Sequence, residues 1–241
     1  MGTRSTNNFE TARQWADELL GPGSPVAFFL APARFVSATR TRDSLSITLG
    51  DDESFGMALG PAPLINPRWG RFFVGEQSTA QLPDHYRKVD RWNFYSLDTS
   101  AWTGGARARI VIDDDEVFEL LRNDAPDSSI WPGNPEIVHW YAIRDANASL
   151  ASLGALVQWE SGYHVVASIV TARKHRGEGL AQQLTRAIVT AAQEMGIQWL
   201  GLGVSSENSA AQRVYEMTGF VLRARFTVYV AGEHDPDLST V

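Results

Sequence analysis

Cysteine is absent from this 241-residue chain, which removes disulfide staples, thiolate metal sites and thiol nucleophiles together. Histidine is scarce. The five present, at positions 85, 139, 164, 175 and 234, include no pair at helical ligand spacing, so nothing supports a metal site and none is expected. Long apolar runs are also missing: the longest are strand-sized, and Met1-Gly2-Thr3-Arg4-Ser5-Thr6-Asn7 lacks the apolar segment of a signal peptide. The expectation is a cytoplasmic protein with no membrane partner. Basic charge is in deficit as well. The net charge is −7, and the deficit falls after Gly105, with 10 basic against 11 acidic residues before that point and 11 against 17 beyond it. This balance argues against a nucleic-acid partner, which needs a clustered basic face, and fits a neutral or cationic small molecule better.

What is present is an ordinary globular composition, 44% hydrophobic and 20% charged, able to bury a core without staples. The length suits two modest domains. Asn7 and Glu10 read as a capping box for a helix with Phe9, Ala12, Trp15, Ala16 and Leu19 on its apolar face, stopped by Gly21-Pro22. Alternation in Leu45, Ile47, Leu49 and again in Phe55, Met57, Leu59, around the turn Gly50-Asp51-Asp52, predicts a hairpin. Proline-rich breaks follow, then strand-like pieces at 72–74 and 92–97. Thr103-Gly104-Gly105 is the best linker, and no internal repeat is evident in the sequence.

Beyond the linker, Arg109 to Ile112 reads as a strand, and Asp113 or Asp114 caps a helix carrying Val117, Phe118, Leu120 and Leu121. The triplet Asp113-Asp114-Asp115 is a solvated helix start, not a cation site. Runs at 137–144, 152–159 and 163–171 form an antiparallel meander. A helix starts near Glu178, with Leu180, Leu184, Ile188, Ala191 and Met195 on one face and Gly196 at its end. A buried strand over 197–204, a helix from Asn208 to Thr218 closed by Gly219, and a final strand or pair of strands over 220–230 complete the chain.

The junction before that long helix carries the most chemistry. A β-branched strand ends in Arg173-Lys174-His175-Arg176-Gly177-Glu178-Gly179 and passes straight into the helix. Successive backbone N–H groups around Gly177 and Gly179, with the positive end of the helix dipole, make a phosphate cradle to which Arg176 adds formal charge. The Walker pattern fails for want of Lys-Ser/Thr, and the dinucleotide fingerprint fails because Gln182 stands where its last glycine should be. On this reading Gly177 and Gly179 could equally be plain turn residues and Arg176 an exposed helix-start arginine.

Two motifs resolve the choice by resemblance. Arg176-Gly177-Glu178-Gly179-Leu180-Ala181 matches the acyl-CoA pyrophosphate loop Arg/Gln-x-x-Gly-x-Gly/Ala of the GCN5-related N-acetyltransferase (GNAT) superfamily. Downstream, Asn208, Ala211, Tyr215, Gly219 and Phe220 match its second signature at every spacing. The resemblance covers roughly 107–230. It implies a mixed α+β fold, with a mostly antiparallel central sheet flanked by helices, and an N-terminal α+β domain of unassigned fold.

The resemblance also implies the site. Amides from Gly177 to Ala181 would hold the pyrophosphate of acetyl-CoA. The strand edge at Ile169, Val170 and Thr171 would pair with the pantetheine arm, and its N–H groups would meet the oxyanion. Asn208 and Ala211 would line the pantetheine region, and Tyr215 would act as general acid toward the CoA sulfur. Thr171 stands where the family more often has an aliphatic residue and Arg173 where it often has proline. His164 and Glu160 are candidates for relaying a proton from the acceptor amine. Structural readings stand beside these: Asn208 as a helix cap, Tyr215 as a packing residue, His164 as a structural residue, and Trp131, Trp140, Trp159 and Trp199 as core or pocket wall.

The implied activity is transfer of the acetyl group of acetyl-CoA, without a metal, to the amine of a small or amino-acid-like acceptor by direct attack in a ternary complex. The competing function is a non-catalytic acyl-CoA-binding or sensing module whose N-terminal region binds a partner. The division expected is 1–105 and 106–241, the first part being a degenerate second copy of the fold, a substrate lid or an oligomerisation element. Ser128 to Pro135 would wall the acceptor pocket, and a homodimer is left open.

Overall fold

The computed structural model describes residues 2–50, 52–111 and 113–232. Met1, Asp51, Ile112 and His234, each used above, lie outside the described residues. The chain forms two compact units, one comprising Met1–Phe94, Val204–Asn208 and Leu222–Val241, the other Tyr95–Gly203 and Ser209–Val221. The expected division at 105/106 therefore differs from the observed one. Thr103-Gly104-Gly105 lies inside the second unit, where the Trp102 indole donates to Thr190 Oγ1 at 3.1 Å and the Gln193 side chain donates to the carbonyls of Thr99 and Trp102.

The first unit contains β1 (Arg4–Thr6), α1 (Phe9–Leu20), α2 (Pro25–Phe29), β2 (Phe35–Arg40), β3 (Leu45–Leu49), β4 (Phe55–Leu59), β5 (Arg71–Gly75) and the start of β6 (Tyr86–Asp98). Helix α1 is capped by Asn8, whose side chain accepts from the Thr11 amide at 2.9 Å, one residue later than the expected Asn7 cap. Its buried face is Ala12, Trp15 and Ala16. Strands β1 to β4 pair antiparallel in sequence order, and β5 joins β4 in parallel, Phe55 opposite Arg71. The hairpin β3–β4 forms as expected, but all ten of its residues are buried, Ser46 and Thr48 included, so the alternation in sequence does not mark a solvent face. Between β4 and β5 the chain takes no helix. Trp69 fills the space instead, 1% exposed, with its indole N–H on Thr48 Oγ1 at 3.1 Å. A Cβ on Gly56 would land 2.0 Å from its ring, so only glycine admits it.

The second unit contains β7 (Arg109–Val111), α3 (Asp114–Asp124), β8 (Ile137–Arg144), β9 (Leu150–Gln158), β10 (His164–Thr171), α4 (Leu180–Glu194), most of β11 (Trp199–Ser205) and α5 (Ser209–Thr218); β12 (Val221–Ala231) follows. Strands β7 to β10 pair antiparallel, and β11 joins β10 in parallel. The strand order thus repeats that of the first unit, but the helices differ: α3 alone stands where the first unit has α1 and α2, and α4 between the parallel pair and α5 after it are added. This is the expected mixed α+β fold with a mostly antiparallel sheet flanked by helices. Asp113 caps α3, accepting from the amides of Asp115 and Glu116. Val117 and Leu121 are its buried residues, whereas Phe118, expected on the apolar face, is 44% exposed. Helix α4 buries Leu184, Ala187, Ile188 and Ala192 and ends at Gly196 (φ +76), which leaves Met195 exposed beyond the apolar stripe. Gly154 on β9 lets α4 come close, since a Cβ there would stand 3.3 Å from Ile188. Among the described residues no helix is long and apolar enough to cross a membrane.

Candidate active site

Strand β10 changes character along its length. Its ladder to β11 has two rungs, His164 opposite Leu200 and Val165 opposite Gly201, and from Val166 onward no strand pairs with that edge among the described residues. On the other edge, pairing with β9 shifts register between Ala167 and Val170, so Ser168 and Ile169 form a bulge. Ser168 sits there at φ +49, a conformation uncommon for a residue with a Cβ. A bulge re-aims the backbone of its strand. Here it lies in the stretch, Ile169 to Thr171, whose amides were expected to face the acyl donor.

The strand leads into the turn 173–175 and then to Gly177 (φ +86) and Gly179 (φ +78), the residue that precedes α4 and carries no capping side chain. Positive φ explains both glycines, and a Cβ at either would meet open space, so they are not there to relieve crowding by the protein. Among the described residues, the amides of Gly177 to Gln182 have no protein acceptor. These are the free donors that a helix start must satisfy from outside. Glu178 lies outside the helix rather than at its start.

The basic residues before the glycines are tied to the scaffold. The Arg176 guanidinium donates to the carbonyls of Thr171 (3.2 Å) and Asp124 (3.1 Å), and Arg173 pairs with the Asp124 carboxylate at 3.1 Å. Lys174 and His175 both reach Asp145, at 2.8 and 3.2 Å, and His175 also meets Glu178 at 3.1 Å. Hydrogen bonds from Lys174 and His175 hold the Asp145 carboxyl well below the ordinary carboxylate range, and those that the His175 ring makes to the Glu178 and Asp145 carboxylates raise its pKa. Arg176 is thus first a strut between β10, α3 and the loop, and it still leaves 55% of its side chain exposed.

Tyr215 lies on α5, which packs against α4. It is 8% exposed, with its ring centroid 6.4 Å from that of Tyr95 and 6.2 Å from that of Phe220. Burial pushes its pKa up to about 12. Among the described residues no hydrogen bond to its hydroxyl is found, whereas neighbouring Tyr95 donates to Glu216 at 3.1 Å. Ala211 is half-buried on the same helix; Asn208, exposed, belongs to the first unit, its amide donating to Ser205 O at 3.1 Å.

The two proton-relay candidates lie at the far end of β10 from the glycine loop. Glu160 is exposed in the β9–β10 turn, and half-buried His164 sits on the paired stretch with its pKa lowered by burial. At about 3.3 Å per residue, His164 to Thr171 is roughly 23 Å. Of the four tryptophans, Trp140 is core at 3% exposure and Trp131, Trp159 and Trp199 are half-buried. Sequence reasoning missed Ser168, although a serine within a β-branched strand was its only available signal. No group of three or more histidine, aspartate or glutamate side chains that could hold a metal occurs among the described residues.

Comparison with known proteins agrees with this architecture. Residues 94–220 match the family model for the acetyltransferase (GNAT) family. An uncharacterized N-acetyltransferase of Bacillus subtilis (strain 168), YycN, is 46% identical over 46 residues, which are 19% of this chain and 30% of that protein. The chain therefore spans less than a third of that relative's length. Among solved structures, a GCN5-related N-acetyltransferase from Kribbella flavida aligns with TM-score 0.54 at 19% identity, over 79% of this chain and 87% of that one. One from Sphaerobacter thermophilus aligns with TM-score 0.53 at 16% identity, over 86% and 84%. With a family model matched over more than half its length, the chain belongs to the GNAT family of acetyltransferases.

Proposed function

We propose that the second unit transfers the acetyl group of acetyl-CoA to the amine of a small, amino-acid-like acceptor by direct attack in a ternary complex. The observation that carries this reading is the run of unpartnered amides from Gly177 to Gln182 at the end of a strand whose edge is open from Val166 onward. The cradle suits a pyrophosphate, and the open edge suits an extended amide-bearing arm added as a strand. Ala211, half-buried on α5, is assigned to the same arm. When bound, acetyl-CoA supplies an activated acyl group on a thiol leaving group.

The protein's part is positioning and charge stabilisation. Amides of Ile169 to Thr171 would meet the negative charge that develops on the carbonyl oxygen. Tyr215 would face the sulfur. Its raised pKa, about 12, decides how it acts. A thiol has an ordinary pKa of about 8.5, so full release of the phenolic proton to a thiolate would be uphill by roughly 5 kcal/mol. Tyr215 therefore works as a hydrogen-bond donor that stabilises the departing thiolate more than as an acid that surrenders its proton. Burial favours the neutral imidazole of His164, but it stands roughly 16 to 23 Å along β10 from Ile169–Thr171, and Glu160 is exposed in the turn beyond it, so neither reaches the acceptor amine through a single water.

Calorimetric titration with acetyl-CoA is the direct test, beside Gly179→Val, which puts a β-branched side chain at φ +78 in the mouth of the cradle. Binding in the micromolar range, weakened by about 100-fold or more in the variant, is expected from the loss of a preorganised anion site. Equal binding by both proteins, or by neither, sinks the assignment of the cradle.

A further inference from the structure

We propose that Ser168 is a positioning residue whose hydroxyl clasps Ile130 and so fixes the β10 bulge and the acceptor-side loop as one piece. The inference rests on the acyl-transfer reading for its consequence, though not for its geometry. The Ser168 hydroxyl accepts from the Ile130 amide at 3.1 Å and donates to the Ile130 carbonyl at 2.9 Å. One oxygen thus satisfies both backbone groups of one residue, using the donor and acceptor capacity that a hydroxyl combines on a single atom. The side chain stands in for a strand neighbour, at the place where β10 has lost its ladder partner on both edges.

Two features show that the clasp is more than an ordinary surface contact. Ser168 holds φ +49, where glycine would sit without strain. A side chain that carries this conformational cost must return it through its contacts, and the two bonds to Ile130 are the contacts it makes. The other end of the clasp is equally well held. Ile130 is 8% exposed, and next to it the Trp131 indole donates to Ser128 O at 2.7 Å while its ring lies 5.3 Å from that of Phe118. The segment between α3 and β8, which contains the residues assigned to the acceptor wall, is therefore bonded directly to the bulge whose next amides are assigned to the acyl carbonyl. Movement of one requires movement of the other. In a direct-attack reaction this couples acceptor placement to the acyl group, where a misplacement of about 1 Å can cost on the order of 100-fold.

Ser168→Gly removes the hydroxyl and relaxes the backbone, so it isolates the clasp from strain; Ser168→Asn tolerates the same φ and restores a donor and an acceptor. The first readout is hydrogen exchange of the unliganded full chain. Faster exchange in segment 126–134 is expected in Ser168→Gly, with partial recovery in Ser168→Asn; unchanged exchange there overturns the proposal. The second is thiol release from acetyl-CoA with glycinamide as the acceptor probe. Ser168→Gly should raise the KM for glycinamide about tenfold and leave the acetyl-CoA Kd within about twofold. A glycinamide KM and kcat that match the parent protein within about twofold would also overturn it. If the parent protein neither binds acetyl-CoA nor releases thiol, the acyl-transfer reading fails while the exchange result still decides the clasp.

Discussion

Tyr215 is the residue whose environment says most about its work. Its ring is buried, and among the described residues no protein group is hydrogen-bonded to its hydroxyl, which is not one of the enclosed polar atoms left without a partner. Removing it by Tyr215→Phe keeps the packing against Tyr95 and Phe220 and deletes one donor. The expected result is a kcat lower by about 100-fold or more, the usual cost of losing a preorganised donor to developing charge, with the acetyl-CoA KM little changed. A fall below about threefold would return Tyr215 to a packing role. The pH dependence has a definite sign. A phenol whose pKa is raised to about 12 stays protonated through neutral pH, so the kcat profile should show no alkaline limb from Tyr215 below pH 10. The stability that comes from burying it neutral is present below its ordinary value of 10.0 and is lost as pH climbs toward 12.

At the scale of elements, the loop between β10 and α4 is shaped by its anchors as much as by its glycines. Asp145, at the β8–β9 turn, receives Lys174 and His175, and His175 is shared with Glu178. His175 has its pKa raised above the ordinary 6.5, so its contribution is complete below that value and disappears as pH rises through the folded pKa. Asp145 has its pKa lowered below 3.8, so its contribution is complete above that value and is lost only in acid. The anchoring of the loop by Asp145, Lys174, His175 and Glu178 is strongest between these limits. The melting temperature of His175→Gln should therefore fall further below that of the parent at pH 6 than at pH 8.5, and an equal deficit at both would mean that the ion pairs do not anchor the loop.

The same loop shows how far the sequence could be read. Its glycines, the following helix and the meander before it were legible because each rests on local rules: φ > 0, the 3.6-residue stripe, and alternation bounded by turns. Ser168 was not, because a bulge depends on the register between two strands and serine carries no signal for it. The engagement of Arg176 with Thr171 and Asp124 was hidden for the same reason: its partners are 5 and 52 residues away. Phe118 and Met195, read from the helical pattern alone, are 44% and 48% exposed, because that pattern does not say where packing stops.

At the scale of the whole molecule, the two units share an order that the sequence conceals. In each, a strand, a helical segment (α1 and α2 in the first unit, α3 in the second) and three antiparallel strands are followed by a strand parallel to the last, β5 on β4 and β11 on β10. No repeat in the sequence betrays this shared strand order, because α4 and α5 have no counterpart in the first unit among the described residues. The missing helix is also the functional difference. Where α4 would start with free amides, the first unit has Trp69 sealed against Phe72, Tyr86 and Ala58, its indole N–H already on Thr48. Among the described residues no helix starts there, so the helix-start cradle of the second unit has no counterpart. Titration with acetyl-CoA should accordingly saturate at one molecule per chain. Trp69→Ala should cost about 3 to 5 kcal/mol of stability, the usual cost of truncating a buried tryptophan, without adding a second site. A stoichiometry of two, lost on mutation of the first unit alone, would mean that this unit also binds the donor.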